Sequence, residues 1–64
     1  MLKLTFYISE YEDGNVSIEP HHMHYCFRDE LCFDDVPADG IYRIMQYLRT
    51  TLEDEDLIPV FQLL

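Results

Sequence analysis

The sequence is organised around residues 37–52, which read PADGIYRIMQYLRTTL. Apolar side chains recur there at the spacing of one helix face, at Ile41, Ile44, Met45, Leu48 and Leu52. Such a face needs an apolar partner, and the candidates are the alternating segments before it and the apolar tail after it. We therefore predict a helix over residues 37–52, starting at Pro37 or near Ala38 because Gly40 weakens its first turn.

The segment before the helix has the two-residue period of β-strands. Residues 2–9 alternate between apolar and polar side chains, and residues 16–19 resume the alternation after Asp13, Gly14 and Asn15, which favour a tight hairpin turn. Pro20 cannot donate a ladder hydrogen bond, so we expect a bulge near residues 20–21. A strand over residues 22–27 and a short strand over residues 31–33 should follow.

The tail, residues 57–64, is apolar and has the length and β-branched content of a last strand, in which Pro59 favours an edge position. The predicted order is β-β-(β)-α-β. This is an α+β fold in which one amphipathic helix packs on one face of a mostly antiparallel sheet of three or four strands. Sixty-four residues make one small α+β domain, residues 1–64.

The charge balance is strongly acidic, with 13 Asp and Glu residues against four Lys and Arg and a formal net charge of −9. Phosphates need cations to replace their counterions, so we expect no direct nucleic-acid ligand. The charge predicts a partner with a basic surface; the plainer alternative is that it only keeps a small protein soluble. With no visible signal peptide or membrane span, we expect no membrane contact and a cytoplasmic location with reduced thiols.

The carboxylates fall in turns and at element ends, so several of them could converge on one side of a small body. Tyrosines are typical anchors of protein interfaces, and two of them lie off the apolar helix face. The predicted partner-binding residues are Glu53, Asp54, Glu55, Asp56, Asp34, Asp35, Asp29, Glu30, Glu10, Glu12, Asp13, Tyr42 and Tyr47. The alternative is a solvated acidic rim with tyrosine rings that lean over the edge of the core.

Other functions find less support in the sequence. On a strand, His22, His24 and Cys26 would point to one side and Cys32 could approach them, but no familiar zinc spacing is present. We therefore predict no metal and no cofactor, with a polar strand face or a disulfide between the two cysteines as alternatives. A Cys-His pair without a third orienting group does not predict an enzyme. The apolar tail allows another function, a structural or regulatory module that forms a homodimer through its C-terminal strand.

In its brevity, its net charge of −9, its tyrosine content and its one-helix α+β pattern, the chain resembles the small acidic proteins with which phages and other mobile elements disable host machinery. These include anti-CRISPR proteins and DNA mimics. The resemblance covers the whole chain and rests on these general features rather than on a motif. It implies a non-enzymatic inhibitor in the host cytoplasm that blocks the basic nucleic-acid site of a host protein or effector complex. Four basic residues and three histidines set the chain apart from the most acidic mimics.

Overall fold

The computed structural model describes residues 2–64 and shows in them four strands and one α-helix. The strands are β1 (Leu2–Glu10), β2 (Val16–Pro20), β3 (Phe33–Val36) and β4 (Leu57–Leu63), and the helix is α1 (Ile41–Glu53). Short 3-10 turns occupy Met23–Tyr25, Asp29–Leu31 and Ala38–Gly40. The α+β order predicted from the sequence is confirmed. Over residues 2–64, no helix has both the length and the apolar character needed to cross a membrane.

One sheet holds the four strands in the order β3-β2-β1-β4. β1 pairs antiparallel with β2, which places Ile8 opposite Ile18, and β2 pairs antiparallel with β3. β1 pairs in parallel with β4, with Phe6 opposite Phe61. The sheet is mostly antiparallel, as predicted, and β4 lies at an edge, which suits the Pro59 within it.

The turn between β1 and β2 forms where the sequence predicted it. Gly14 has a φ of 92°, a conformation that side chains with a Cβ rarely adopt. The backbone N–H of Tyr11 donates to the carbonyl of Asn15 at 2.7 Å, and the N–H of Gly14 donates to the carbonyl of Tyr11 at 3.0 Å. This turn fixes the register that puts the apolar side chains of both strands on one face of the sheet.

The helix covers that face and closes the core. The buried apolar residues are Leu4, Phe6, Ile8, Val16, Ile18, Leu31, Leu48, Leu52 and Leu57. From the predicted helix stripe, Leu48 and Leu52 are fully buried, and Ile41 and Ile44 pack beside them. The α-helix proper begins at Ile41 rather than at residue 37, because the residues after Pro37 form a 3-10 turn.

The connector between β2 and β3, residues 21–32, corrects the sequence-based prediction. The predicted strand over residues 22–27 is absent, and the 3-10 turn Met23–Tyr25 takes its place. The apolar alternation was misleading because Met23 and Phe27 are 75% and 85% exposed. The connector instead reaches the core through Leu31, which has no exposed surface, and the third strand starts at Phe33.

Candidate functional site

The strand directions sort the predicted acidic residues between two opposite ends of the sheet. β1 ends at the hairpin turn, and β3 ends beside it because Val36 pairs with Val16. The helix runs back, so residues 53–56 lie at the other end, where β4 begins beside Leu2. The nine residues of β1 separate the ends by about 30 Å, at roughly 3.3 Å per residue. The acidic residues therefore form two groups rather than one.

The first group surrounds the hairpin, and we call it the hairpin-end surface: Glu10, Glu12, Asp13, Asp34 and Asp35. The hydroxyl of Tyr11 donates to the carboxylate of Asp34, and the side-chain amide of Asn15 donates to Asp35 at 2.9 Å. The backbone N–H of Asn15 donates to the carboxylate of Asp13 at 2.9 Å. The first two bonds tie the hairpin to β3, and the third lies within the hairpin. Beside them is a depression of about 460 Å³, which is lined by Tyr11, Glu12, Asp13, Asp34 and Asp35.

A bulge in β3 places two carboxylates in this surface. Asp34 and Asp35 together stand opposite the single residue Ser17 of β2. Asp35 has a φ of 53°, a left-handed conformation that aspartate tolerates better than most residues. The hydrogen bond to Asp34 raises the pKa of the Tyr11 hydroxyl above its usual value.

The carboxylates of the hairpin-end surface form no ion pair within residues 2–64. Within residues 2–64, the ion pairs of the structure belong to Arg28, which lies at the other end of the sheet. The first turn of α1 lies at the hairpin end and carries Tyr42, which is 77% exposed. Tyr47 is 42% exposed, and its ring packs edge-on against Phe33 at a centroid distance of 5.9 Å. Tyr42 is therefore the tyrosine best exposed at the end that bears these carboxylates.

The second group, which we call the turn-end surface, consists of Asp29, Glu30, Glu53, Asp54, Glu55 and Asp56. The two terminal nitrogens of Arg28 donate to Glu55 at 2.6 and 2.9 Å, and its Nε donates to Glu30 at 2.7 Å. These hydrogen bonds lower the pKa of both carboxyls and raise the pKa of the guanidinium. Arg28 thus fastens the connector to the turn after α1 and neutralises part of the acidic run.

The acidic run follows the helix through a tight reversal. The N–H of Glu55 donates to the carbonyl of Leu52 at 3.0 Å, and the N–H of Asp56 donates to that of Glu53 at 3.1 Å. Asp56 has a φ of 57°, the left-handed conformation with which many helices end. Because the helix dipole disfavours negative charge at this end, the run does not stabilise the helix.

The histidines and cysteines do not form the arrangement considered from the sequence. His22, His24 and Cys26 share no strand face, because the connector is turned; instead the rings of His22 and His24 stack at 4.9 Å. Both thiols are free, with Cys26 contacting the carbonyl of Pro20 at 3.7 Å and Cys32 that of Cys26 at 3.7 Å. In the part of the chain that the structure describes, no three His, Cys, Asp or Glu side chains are grouped to hold a metal.

A second depression of about 460 Å³, not foreseen from the sequence, opens near the start of β1. It is lined by Leu2, Lys3, Leu4, Thr5, His21, His22, His24, Tyr25 and Leu57. The N–H of His21 donates to the carbonyl of Thr5 at 2.7 Å, and the His21 ring packs edge-on against Tyr7. These contacts between the connector and β1 are non-local, so the sequence contains no local signal for them.

Comparison with known proteins assigns neither a family nor a function to this chain. No family model, no curated protein and no solved structure matches this chain.

Proposed function

We propose that this chain is a non-enzymatic binding protein whose hairpin-end surface docks on a basic surface of a nucleic-acid-binding protein or effector complex. The main support is a group of five carboxylates, of which four line one depression, and none of the five is in an ion pair within the described residues. A groove lined with Lys and Arg attracts such a surface over a long range and accelerates association. The finer form of the proposal is inhibition, in which the bound chain excludes nucleic acid as an anti-CRISPR protein or a DNA mimic does.

The hydrogen bonds of the hairpin-end surface support docking there. The contacts of Tyr11 with Asp34 and of Asn15 with Asp35 hold two carboxylates in place before a partner arrives. A preorganised surface loses less conformational freedom on binding. The exposed Tyr42 adds an amphipathic ring of the kind that anchors interfaces.

In the same proposal, the turn-end surface is a second and weaker docking surface. Its charge is reduced by Arg28, and it lies about 30 Å from the hairpin end by the length of β1. In a groove built for duplex DNA, 30 Å corresponds to roughly nine base pairs at about 3.4 Å each. A partner with a long basic groove would therefore contact both surfaces, whereas a partner with a compact basic patch would contact the hairpin end.

The experiment compares two double variants that remove the same charge. Glu10→Gln with Glu12→Gln alters the hairpin end, and Glu53→Gln with Asp54→Asn alters the turn end. The wild-type chain first captures its partner from an extract of its native cell, and calorimetric titration then measures each affinity at rising salt. We expect the hairpin-end variant to bind about tenfold more weakly, the turn-end variant to change less, and the wild-type affinity to fall with salt.

Two outcomes would overturn the proposal. One is equal affinity of the wild-type chain and the hairpin-end variant, and the other is an affinity that does not depend on ionic strength. A displacement assay with labelled nucleic acid tests the inhibitory form separately. If the partner keeps its nucleic acid while it binds the chain, the protein is a binding module and not an inhibitor.

A further inference from the structure

The start of β1 borders a notch in the sheet, because its neighbour on one side is shorter. β2 ends at Pro20, opposite Phe6, so residues 2–5 of β1 extend beyond it. On the other side, β4 pairs with this part of β1. The connector closes part of the notch, since the N–H of His21 donates to the carbonyl of Thr5 at 2.7 Å. The depression near the start of β1 occupies the remaining space.

The lining of this depression comes from both faces of the sheet, as expected for an opening at a strand edge. Leu2 and Leu4 follow the alternation of the face that bears the core, and Lys3 and Thr5 belong to the other face. The carbonyl of Thr5 points toward the connector, so the N–H and carbonyl of Lys3, two residues earlier, point the same way. No strand of residues 2–64 lies there to pair with them. The depression therefore offers a free backbone donor beside the Lys3 ammonium.

The titratable side chains of the lining differ from those of the rest of the chain. They include all three histidines and the one lysine of the sequence, Lys3, whereas none of the 13 carboxylates lines the depression. Lys3 is in no ion pair among the described residues, whose ion pairs belong to Arg28. The Nδ1 of His22 accepts the N–H of His24, so a neutral His22 carries its proton on Nε2, which is a donor. These donors suit an anionic ligand.

The rest of the lining is largely apolar and aromatic. Leu4 and Leu57 belong to the core, and Tyr25 packs against it. The ring of His22 stacks on that of His24 at a centroid distance of 4.9 Å and meets the ring of Tyr25 edge-on at 5.9 Å. Three neighbouring rings favour an aromatic ligand, because aromatic rings pack well in stacked and edge-on contacts. The volume of about 460 Å³ is within the range of small-molecule sites.

We propose that this depression binds a small aromatic carboxylate. The carboxylate accepts hydrogen bonds from the ammonium and the backbone N–H of Lys3, and such charge-assisted bonds are the stronger ones. The aromatic body of the ligand packs against Tyr25 and against the apolar side chains of Leu2, Leu4 and Leu57. The depression thus recognises both halves of the ligand, the anionic group and the ring.

The charge around the depression selects a carboxylate with one negative charge over a phosphate with two. Lys3 is the one residue of the lining with a permanent positive charge. The acidic run, residues 53–56, precedes Leu57 and lies at the same end of the sheet, although Arg28 pairs with its Glu55. One cation balances one carboxylate, whereas a second negative charge would be repelled by the acidic run. For a ligand of two fused rings we expect a dissociation constant on the order of 0.1–1 mM.

The test follows the backbone amide signals of the isotope-labelled full chain by NMR during titration with naphthoate. Naphthamide has the same rings without the charge, and acetate has the charge without the rings. Lys3→Gln removes the cation of the depression, and Arg43→Gln is its matched control, because it removes one positive charge from an exposed position of α1. A second pair, Leu2→Glu and Leu2→Gln, places either a carboxylate or a neutral amide at an exposed site in the lining.

We expect naphthoate to shift the signals of residues 2–5 and 21–25 in a saturable way, and naphthamide to bind about tenfold more weakly. Acetate should cause no saturable shift at the same concentrations. Lys3→Gln should weaken naphthoate binding about tenfold, and Arg43→Gln should leave it within about twofold of wild type. Leu2→Glu should bind naphthoate more weakly than Leu2→Gln does, because the two variants differ in charge alone. The amide spectra also establish that each variant is folded.

Three outcomes would overturn the inference: unchanged signals of residues 2–5 and 21–25, equal affinity for naphthoate and naphthamide, or equal weakening by Lys3→Gln and Arg43→Gln. The depression and the hairpin-end surface lie at opposite ends of β1. The variant Glu10→Gln with Glu12→Gln should therefore bind naphthoate within about twofold of wild type, even though it loses affinity for a basic partner. This proposal and the proposed docking are thus tested by different variants and fail separately.

Discussion

Replacing Leu31 by Ala should destabilise the protein strongly, although Leu31 lies in a connector of 3-10 turns. Its side chain is fully buried among the core residues. Truncation of a buried Leu costs about 2–5 kcal/mol, because apolar contacts are lost and a cavity remains. A 64-residue domain has a total stability of about 3–10 kcal/mol, at roughly 0.05–0.15 kcal/mol per residue. The melting temperature should therefore fall by roughly 8–40 °C, at about 4–8 °C per kcal/mol.

The assay is urea unfolding followed by far-UV circular dichroism, with Phe27→Ala as the matched control. Phe27 belongs to the same connector but is 85% exposed, so its truncation should change the free energy of unfolding by about 0.5 kcal/mol or less. If Leu31→Ala does not fold, Leu31→Met restores most of the volume and should cost less than about 1.5 kcal/mol. Equal midpoints for Leu31→Ala and Phe27→Ala would refute the packing of the connector described above.

The two glycines should respond in opposite ways to alanine. Gly14→Ala should destabilise the protein by about 1–2 kcal/mol, because Gly14 has a left-handed φ. Gly40→Ala should be neutral or stabilise the protein by up to about 1 kcal/mol, because the new Cβ would lie 3.6 Å from a methyl carbon of Val36, at ordinary contact distance. Thermal melts of both variants test this, and equal shifts of the melting temperature would contradict it. Arg28 lowers the pKa of Glu30 and Glu55 in the folded state. The stabilisation from these ion pairs is therefore fully present when the pH is above the ordinary carboxyl pKa of 4.5. It is lost as the pH falls through the lower pKa values of the folded state. Urea unfolding should show wild type more stable than Arg28→Gln near neutral pH and equal to it near pH 2; a gap that persists in acid would exclude this ion pairing.

The helix and the hairpin could be predicted from the sequence because their signals are local. The spacing of Leu48 and Leu52 defines one helix face, and the left-handed Gly14 marks the turn between two alternating strands. Both features involve residues within a few positions of one another. The edge position of β4 likewise followed from Pro59 alone, since an interior strand needs the N–H that proline lacks.

The connector and the acidic surfaces could not be predicted in the same way. The alternation in residues 22–27 imitates a strand, and only packing against the core shows that Leu31, not Phe27, is buried. The ion pair of Arg28 with Glu55 joins residues 27 positions apart. The separation of the carboxylates into two ends depends on the direction of β4, which runs parallel to β1, and the apolar pattern of the tail fits either direction.

The left-handed conformations of Asp35 and Asp56 have a practical consequence for engineering. Asparagine adopts this conformation as readily as aspartate, and at residue 35 its side-chain oxygen would still accept the amide of Asn15. Substitution at these two sites therefore removes charge while the backbone keeps its path. The net charge of this protein, and with it its solubility, can therefore be changed without a change in backbone conformation. This gives a route to crystallisable variants that keep the native fold.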